Sequence, residues 1–166
     1  MTWSTVHAAA PDLAERALAI LTSTTNNVMA TIRADGSPRV SGIDPFVVDG
    51  ELWIGSMPGS RKAADLARDP RFALHAVPWE SRRIKDGRPD PGDADAKVTG
   101  RASLVTDPEV HARVWGALGE QMAGEAPAGD LFALDITSVV AVSVDGEELV
   151  IDRWTADEGL RQFRRT

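Results

Sequence analysis

Three of the four Asp-Gly pairs in the chain, Asp35-Gly36, Asp49-Gly50 and Asp145-Gly146, each stand between short apolar runs. Asp-Gly in that setting is a strong hairpin signal. A tight turn between antiparallel strands needs positive φ, which glycine adopts freely and aspartate tolerates. Residues 28–33 alternate, with Val28, Ala30 and Ile32 on one side and Met29, Thr31 and Arg33 on the other. A second strand spans 39–48, interrupted by Gly42 and Pro45, and a third spans 52–56. Further strands are predicted over 72–77, 97–105, 131–144 and 149–154, with residues 155–166 left as a tail. Helices are predicted over 11–22, from Ser60 to the stop at Pro70, and from Asp107-Pro108 to about residue 122. Six to seven long strands tied by tight turns favour a closed or nearly closed antiparallel barrel, which hides sheet edges. The fold class expected is mainly β with peripheral helices, in a single domain over 1–166.

Composition excludes several functions. A net charge of −7 argues against general nucleic-acid binding, so any anion site must be a local basic pocket. No apolar run reaches the length of a membrane span, and the N-terminus lacks a signal-peptide pattern, so a cytoplasmic protein without membrane contact is expected. With no cysteine there are no disulfides, thiolate metal sites or cysteine nucleophiles. His7, His75 and His111 lie far apart without metal-ligand spacing. His75 alternates with core positions and reads as a core or pocket histidine, and His111, near a helix start, reads as exposed. No Gly-x-Ser-x-Gly, P-loop or Gly-x-Gly-x-x-Gly occurs. Residues 86–95, rich in Asp, Pro and Gly, read as a mobile surface loop.

One segment carries chemistry. Ser60 is a good N-cap, and Arg61 and Lys62 then occupy the first helical turn. Cations are the wrong sign there, because the free N–H groups already present about half a positive charge. A bound phosphate resolves the conflict: it would meet N–H groups, a serine hydroxyl and two cations. The plainer alternative is a solvated first turn, with Arg61 pairing weakly with Asp65.

The stretch from Arg39 to Asp44, then Asp49-Gly50, Leu52-Trp53-Ile54-Gly55-Ser56, Ser60-Arg61-Lys62, Leu66 and Asp69-Pro70-Arg71-Phe72-Ala73-Leu74 resembles the pyridoxamine 5'-phosphate oxidase-like family. The resemblance implies a split β-barrel that binds FMN at the interface of a homodimer, with hydride transfer at the flavin N5 to or from a small organic substrate. Arg61 and Lys62 would hold the FMN phosphate, with Ser60 capping the helix and Ser56 nearby. Arg39, Val40, Ser41, Gly42 and Ile43 fall on the strand that runs along the flavin ring, and Gly42 would let the ring approach the backbone. For Arg39 a surface arginine is the alternative. Trp79, Asp95 and Trp154 fall at positions that line the pocket or come from the second subunit, with a plug in the barrel rim as the alternative for Trp79. Two departures stand out. Asp95 or Ala96 takes the place of the glutamine that family oxidases direct to the flavin, and the C-terminal Arg-x-His that recognises the vitamin substrate is missing. Oxidation of pyridoxamine 5'-phosphate itself is therefore not expected. A deazaflavin reductase on the same fold, or a non-catalytic protein holding flavin or haem, are the rival readings.

Overall fold

A computed structural model describes residues 1–23, 25, 27–76, 84–85, 88–89, 95–124 and 129–166. Its elements run α1 (Trp3–Ala9), α2 (Pro11–Thr22), β1 (Asn27–Ile32), β2 (Pro38–Ile43), β3 (Pro45–Val48), β4 (Glu51–Ser56), α3 (Arg61–Arg68), β5 (Arg71–Ala76), β6 (Ile84–Lys85), β7 (Arg88–Pro89), β8 (Asp95–Leu104), α4 (Pro108–Gln121), β9 (Asp130–Asp145), β10 (Glu148–Thr155) and β11 (Gly159–Arg165).

These three Asp-Gly pairs lie at hairpin turns. Asp49 and Gly50 both have positive φ, 54° and 74°, and close β3 onto β4 as a two-residue loop. At the third, Asp145 pairs with Glu148, so the loop is Gly146-Glu147, with positive φ at Gly146. The single strand expected over 39–48 is instead two. The chain bends at Asp44, so that β2 pairs with β1 while β3 pairs with β4.

That bend makes the architecture. One antiparallel sheet runs β11-β10-β9-β8-β5-β1-β2, and β9 also pairs with β4, which carries β3. The 16-residue β9 serves three partners: β8 along one edge, and β4 and then β10 along the other. The sheet therefore curls until β2 approaches β4, but no ladder joins those two among the described residues. It is a split barrel, as expected.

Alternation sets the core. Phe72, Leu74 and Ala76 of β5 point inward, with Val98 and Ala96 of β8 opposite Leu74 and Ala76. On β1 the inward set is Asn27, Met29 and Thr31, whereas Val28 is exposed. Helix α2 closes one face of this core with Leu13, Ala17, Ile20 and Leu21. Each large apolar side chain so buried contributes about 1.5–3 kcal/mol. Strand β4 is apolar on both faces because it is covered on both. Leu52 and Ile54 join the barrel core, while Trp53 joins a second cluster with Val48, Val114, Trp115 and Leu131 beneath α4.

Four elements were not foreseen: α1, the short strands β6 and β7, and the strand β11 that replaces the expected tail. Within the acidic segment, β6 and β7 pair through Ile84–Pro89 and Lys85–Arg88. Residues 86, 87 and 90–94 lie outside the described residues, and with them the expectation of a mobile loop. Asp95 is the first residue of β8.

Candidate flavin site at the barrel seam

The helix start forms as the sequence requires. Ser60 has extended backbone and its hydroxyl accepts from the Ala63 N–H at 3.1 Å. The Ser60 hydroxyl also hydrogen-bonds that of Ser56 at the end of β4. Arg61 is exposed and makes no ion pair or hydrogen bond among the described residues. Lys62 folds back, and its Nζ donates to the Gly42 carbonyl at 2.7 Å. Burial pushes its ammonium below the ordinary lysine value, and the Asp44 carboxylate offsets part of that.

Asp65 does not pair with Arg61 on the surface. It is 3% exposed and accepts from Arg39 Nε at 2.6 Å, Thr31 Oγ1 at 3.0 Å and Arg68 Nη2 at 3.2 Å. The Arg39 hydrogen bond, ahead of those from Arg68 and Thr31, holds its carboxyl below the usual carboxylate range. This network pins α3 to β1 and β2. It also explains why Thr31 faces inward, since a buried hydroxyl needs a partner. Arg39 is thus neither a free surface arginine nor part of the cavity wall.

A cavity of about 410 Å³ opens at the seam between β2 and β4. Gly42, Ile43, Asp44 and Phe46 line it from the bend, Gly55, Ser56, Met57 and Lys62 from β4 and the start of α3, and Trp115 and Leu118 from α4. Of the expected site residues, Gly42, Ile43, Ser56 and Lys62 meet on this wall. Ser60 and Arg61 flank it at the helix start, and Val40 and Ser41 continue along β2. Trp154 is 3% exposed and belongs to the barrel core, not to the cavity. Asp95 stands elsewhere on the sheet, its carboxylate 3.2 Å from His75 Nε2 and 2.6 Å from Lys97 Nζ. Trp79 lies outside the described residues.

The aromatic wall escaped the sequence reading. Phe46 and Trp115 stack with ring centroids 5.6 Å apart. A Cβ at Gly55 would sit 2.3 Å from the Trp115 ring, so only glycine admits the indole there. Trp115 Nε1 lies 3.1 Å from His111 Nε2, which also lies 2.9 Å from the Gly129 carbonyl, and His111 is half-buried rather than exposed. A glycine inside the apolar run of β4 was the available signal. Its partner lies 60 positions on, beyond the reach of periodicity.

These features suit a phosphorylated flavin. Donors and positive charge gather at the start of α3. Strand β2 pairs on one edge with β1, and the Gly42 carbonyl turns to the other edge toward Lys62. By the two-residue period, Val40 and Gly42 both direct their N–H and C=O groups to that open edge. A Cβ at Gly42 would meet nothing within 4 Å, so the strand surface there is clear for a flat ring. Among the described residues no group of three or more His, Asp or Glu is placed to hold a metal. No helix among them is long and apolar enough to cross a membrane.

Fold and seam together define a split-barrel protein of the FMN-binding type. The family model for pyridoxamine 5'-phosphate oxidase matches residues 13–150, and the chain belongs to that family. No curated protein matches it. Among solved structures, a pyridoxamine 5'-phosphate oxidase-related, FMN-binding protein from Nostoc punctiforme is 12% identical, covering 96% of this chain and 95% of its own, with TM-score 0.62. PhzG from Burkholderia lata, in complex with tetrahydrophenazine-1-carboxylic acid, is 12% identical, covering 94% and 89%, with TM-score 0.64. A heme binding protein from Mycobacterium smegmatis is 22% identical, covering 87% of this chain and 58% of its own, with TM-score 0.61. The chain thus spans little more than half the length of that last relative.

Proposed function

We propose that the chain is an FMN-dependent oxidoreductase that works as a homodimer, with the phosphate at the start of α3 and the ring along β2. One observation carries the reading. Lys62 Nζ and the Gly42 carbonyl meet at 2.7 Å on the wall of a single cavity. This contact joins a helix N-terminus rich in donors to the open edge of a strand.

The chain's own groups would act as follows. The first-turn N–H groups of α3, the Ser56 and Ser60 hydroxyls, Arg61 and Lys62 bind and neutralise the phosphate. The β2 edge orients the ring by backbone hydrogen bonds. The wall of Phe46, Trp115 and Leu118 excludes water from one side. No side-chain nucleophile is needed, because bound FMN supplies hydride transfer at N5 to or from a small organic substrate.

Absorbance of the purified protein separates the rivals. FMN gives two bands in the near-UV and blue, a deazaflavin one, and haem a Soret band. The site itself is tested by titrating FMN and riboflavin into the wild type and the double variant Arg61→Ala/Lys62→Ala. Charge-assisted contacts are worth about 1.5–3 kcal/mol each, so FMN binding should weaken by at least a hundredfold while riboflavin changes little. Equal losses for both ligands would overturn the phosphate role.

A further inference from the structure

Behind the cavity wall, one ring nitrogen faces two incompatible neighbours. His111 Nε2 lies 3.1 Å from the Trp115 indole Nε1 and 2.9 Å from the Gly129 carbonyl oxygen. The indole N–H can only donate and the carbonyl can only accept, so Nε2 answers one of them at a time. With the ring proton on Nδ1, Nε2 accepts from the indole and turns its lone pair on the carbonyl. With a proton on Nε2, it donates to Gly129 and sets N–H against N–H at the indole.

The two neighbours belong to different parts of the cavity. Trp115 lines it, is 6% exposed and stacks on Phe46. Its buried N–H needs an acceptor, which selects the Nδ1–H form of the neutral ring. Gly129 precedes β9 and presses on Ser56, another lining residue. A Cβ at Gly129 would sit 2.2 Å from the Ser56 carbonyl oxygen. The charged residues nearest in the chain are Asp107 and Arg113 on α4 and Asp130 beside Gly129. Asp107 caps its own helix and Arg113 pairs with Asp49. Asp130 forms no ion pair with His111 among the described residues. From β3 and β4 the neighbouring Phe46, Gly55 and Ser56 bring no charge.

The geometry points to His111 as a proton-operated latch on the cavity wall. Neutral, it fastens Trp115 through the indole N–H. When a proton from water adds at Nε2, the imidazolium donates to the Gly129 carbonyl, and Trp115 keeps its packing but loses its hydrogen-bond acceptor. Histidine ordinarily changes charge between about pH 5 and pH 8, so mild acid releases this side of the wall. No cofactor enters the step, and the test uses the protein alone, whatever the fate of the flavin reading.

Protein labelled with ¹⁵N is titrated from about pH 8 to about pH 5, with the Trp115 indole resonance assigned by its absence from Trp115→Phe. The indole proton should move upfield by at least about 0.3 p.p.m. as its acceptor is lost. Its midpoint should match that of the His111 ring nitrogens. His111→Gln offers a carbonyl oxygen to the indole and an amide N–H to Gly129 at once, at any pH in this range, and should leave the indole resonance flat. The latch is overturned if His111 gains its proton while the Trp115 indole stays still. It is equally overturned if the indole moves as far in His111→Gln, or if His111 remains neutral to the end of the titration. The ring-nitrogen shifts of the wild type decide the first and last of these outcomes even if the glutamine variant does not fold.

Discussion

Arg39 and Asp65, 26 residues apart in sequence, meet at 2.6 Å and lock helix α3 onto strand β2. The carboxylate is almost wholly buried, and three donors from β1, β2 and α3 itself converge on it. Breaking such a pair strands a buried charge, at a cost of about 3 kcal/mol. Asp65→Asn should therefore lower the melting temperature by roughly 6–12 °C for a domain of this size. The loss should depend on pH. The folded carboxyl titrates below its unfolded value, so between the two values the unfolded chain binds more protons and stability rises with pH. The stabilisation is complete above about pH 4 and disappears as pH falls through the lower, folded value. Across thermal melts of both proteins from pH 7 to pH 3, the gap between them should narrow below about pH 4. A gap that stays constant would show that the charge is irrelevant.

Lys62 predicts an alkaline effect on binding. Its ammonium is held below the ordinary lysine value by burial. FMN affinity should therefore begin to fall at a pH below about 10.4, while riboflavin affinity stays flat across the same range. Lys62→Arg, which keeps its charge at any such pH, should abolish the decline. Fluorescence titrations at intervals from pH 7 to pH 10 decide it. An identical decline in the arginine variant would exclude Lys62 as the titrating group.

Gly55 and Trp115 should be energetically coupled. A methyl group at Gly55 would press into the indole, and overpacking of this kind destabilises by about 1–3 kcal/mol. Gly55→Ala alone should lower stability and perturb the near-UV dichroism of the tryptophan. In the Trp115→Leu background the same change should be close to neutral, and a double-mutant cycle by urea unfolding reads the difference directly. Additive losses would mean that the glycine is required for its backbone and not for the space it leaves.

Assembly follows from the other face of the sheet. Asp95, Val142, Ile151 and Phe163 form one row across β8, β9, β10 and β11, and the last three are apolar yet incompletely covered. The proposed homodimer would bury this row. Light scattering should report a dimer whose melting temperature rises on FMN addition, because a ligand bound only by the folded assembly stabilises it by mass action. Ile151→Glu should yield a folded monomer with weakened FMN binding. A monomeric wild type that binds FMN tightly would rule out a shared site.

What the sequence made legible was local. Turn chemistry at Asp49-Gly50 and the cap at Ser60 depend on a few neighbouring residues, and both form as written. The charge conflict at Arg61 and Lys62 was equally local, and Lys62 lines the cavity. Strand β11 was invisible because Gly159–Arg165 is exposed along nearly its whole length, so no buried face imposes a period of two. The role of Asp65 was misread because a carboxylate four positions from an arginine on a helix reads as a surface pair. Two of its three partners, Thr31 and Arg39, come from strands that only the fold brings near. Trp115 drew no reading of its own, because its place on the cavity wall depends on how α4 lies across β3 and β4. A family likeness drew Trp154 to the pocket, whereas the alternation of β10 sends its side chain into the core.

The bend at Asp44 has a mechanical consequence. Strands β2 and β4 face each other across the seam with no ladder between them, and the Lys62–Gly42 hydrogen bond ties β2 to the helix that follows β4. Spreading the two strands at the cavity mouth releases that bond, while the Arg39–Asp65 pair still holds β2 to α3 and every ladder pairing elsewhere in the sheet survives. A guest that draws the Lys62 ammonium to itself therefore removes one of two ties between β2 and α3 and leaves the other in place.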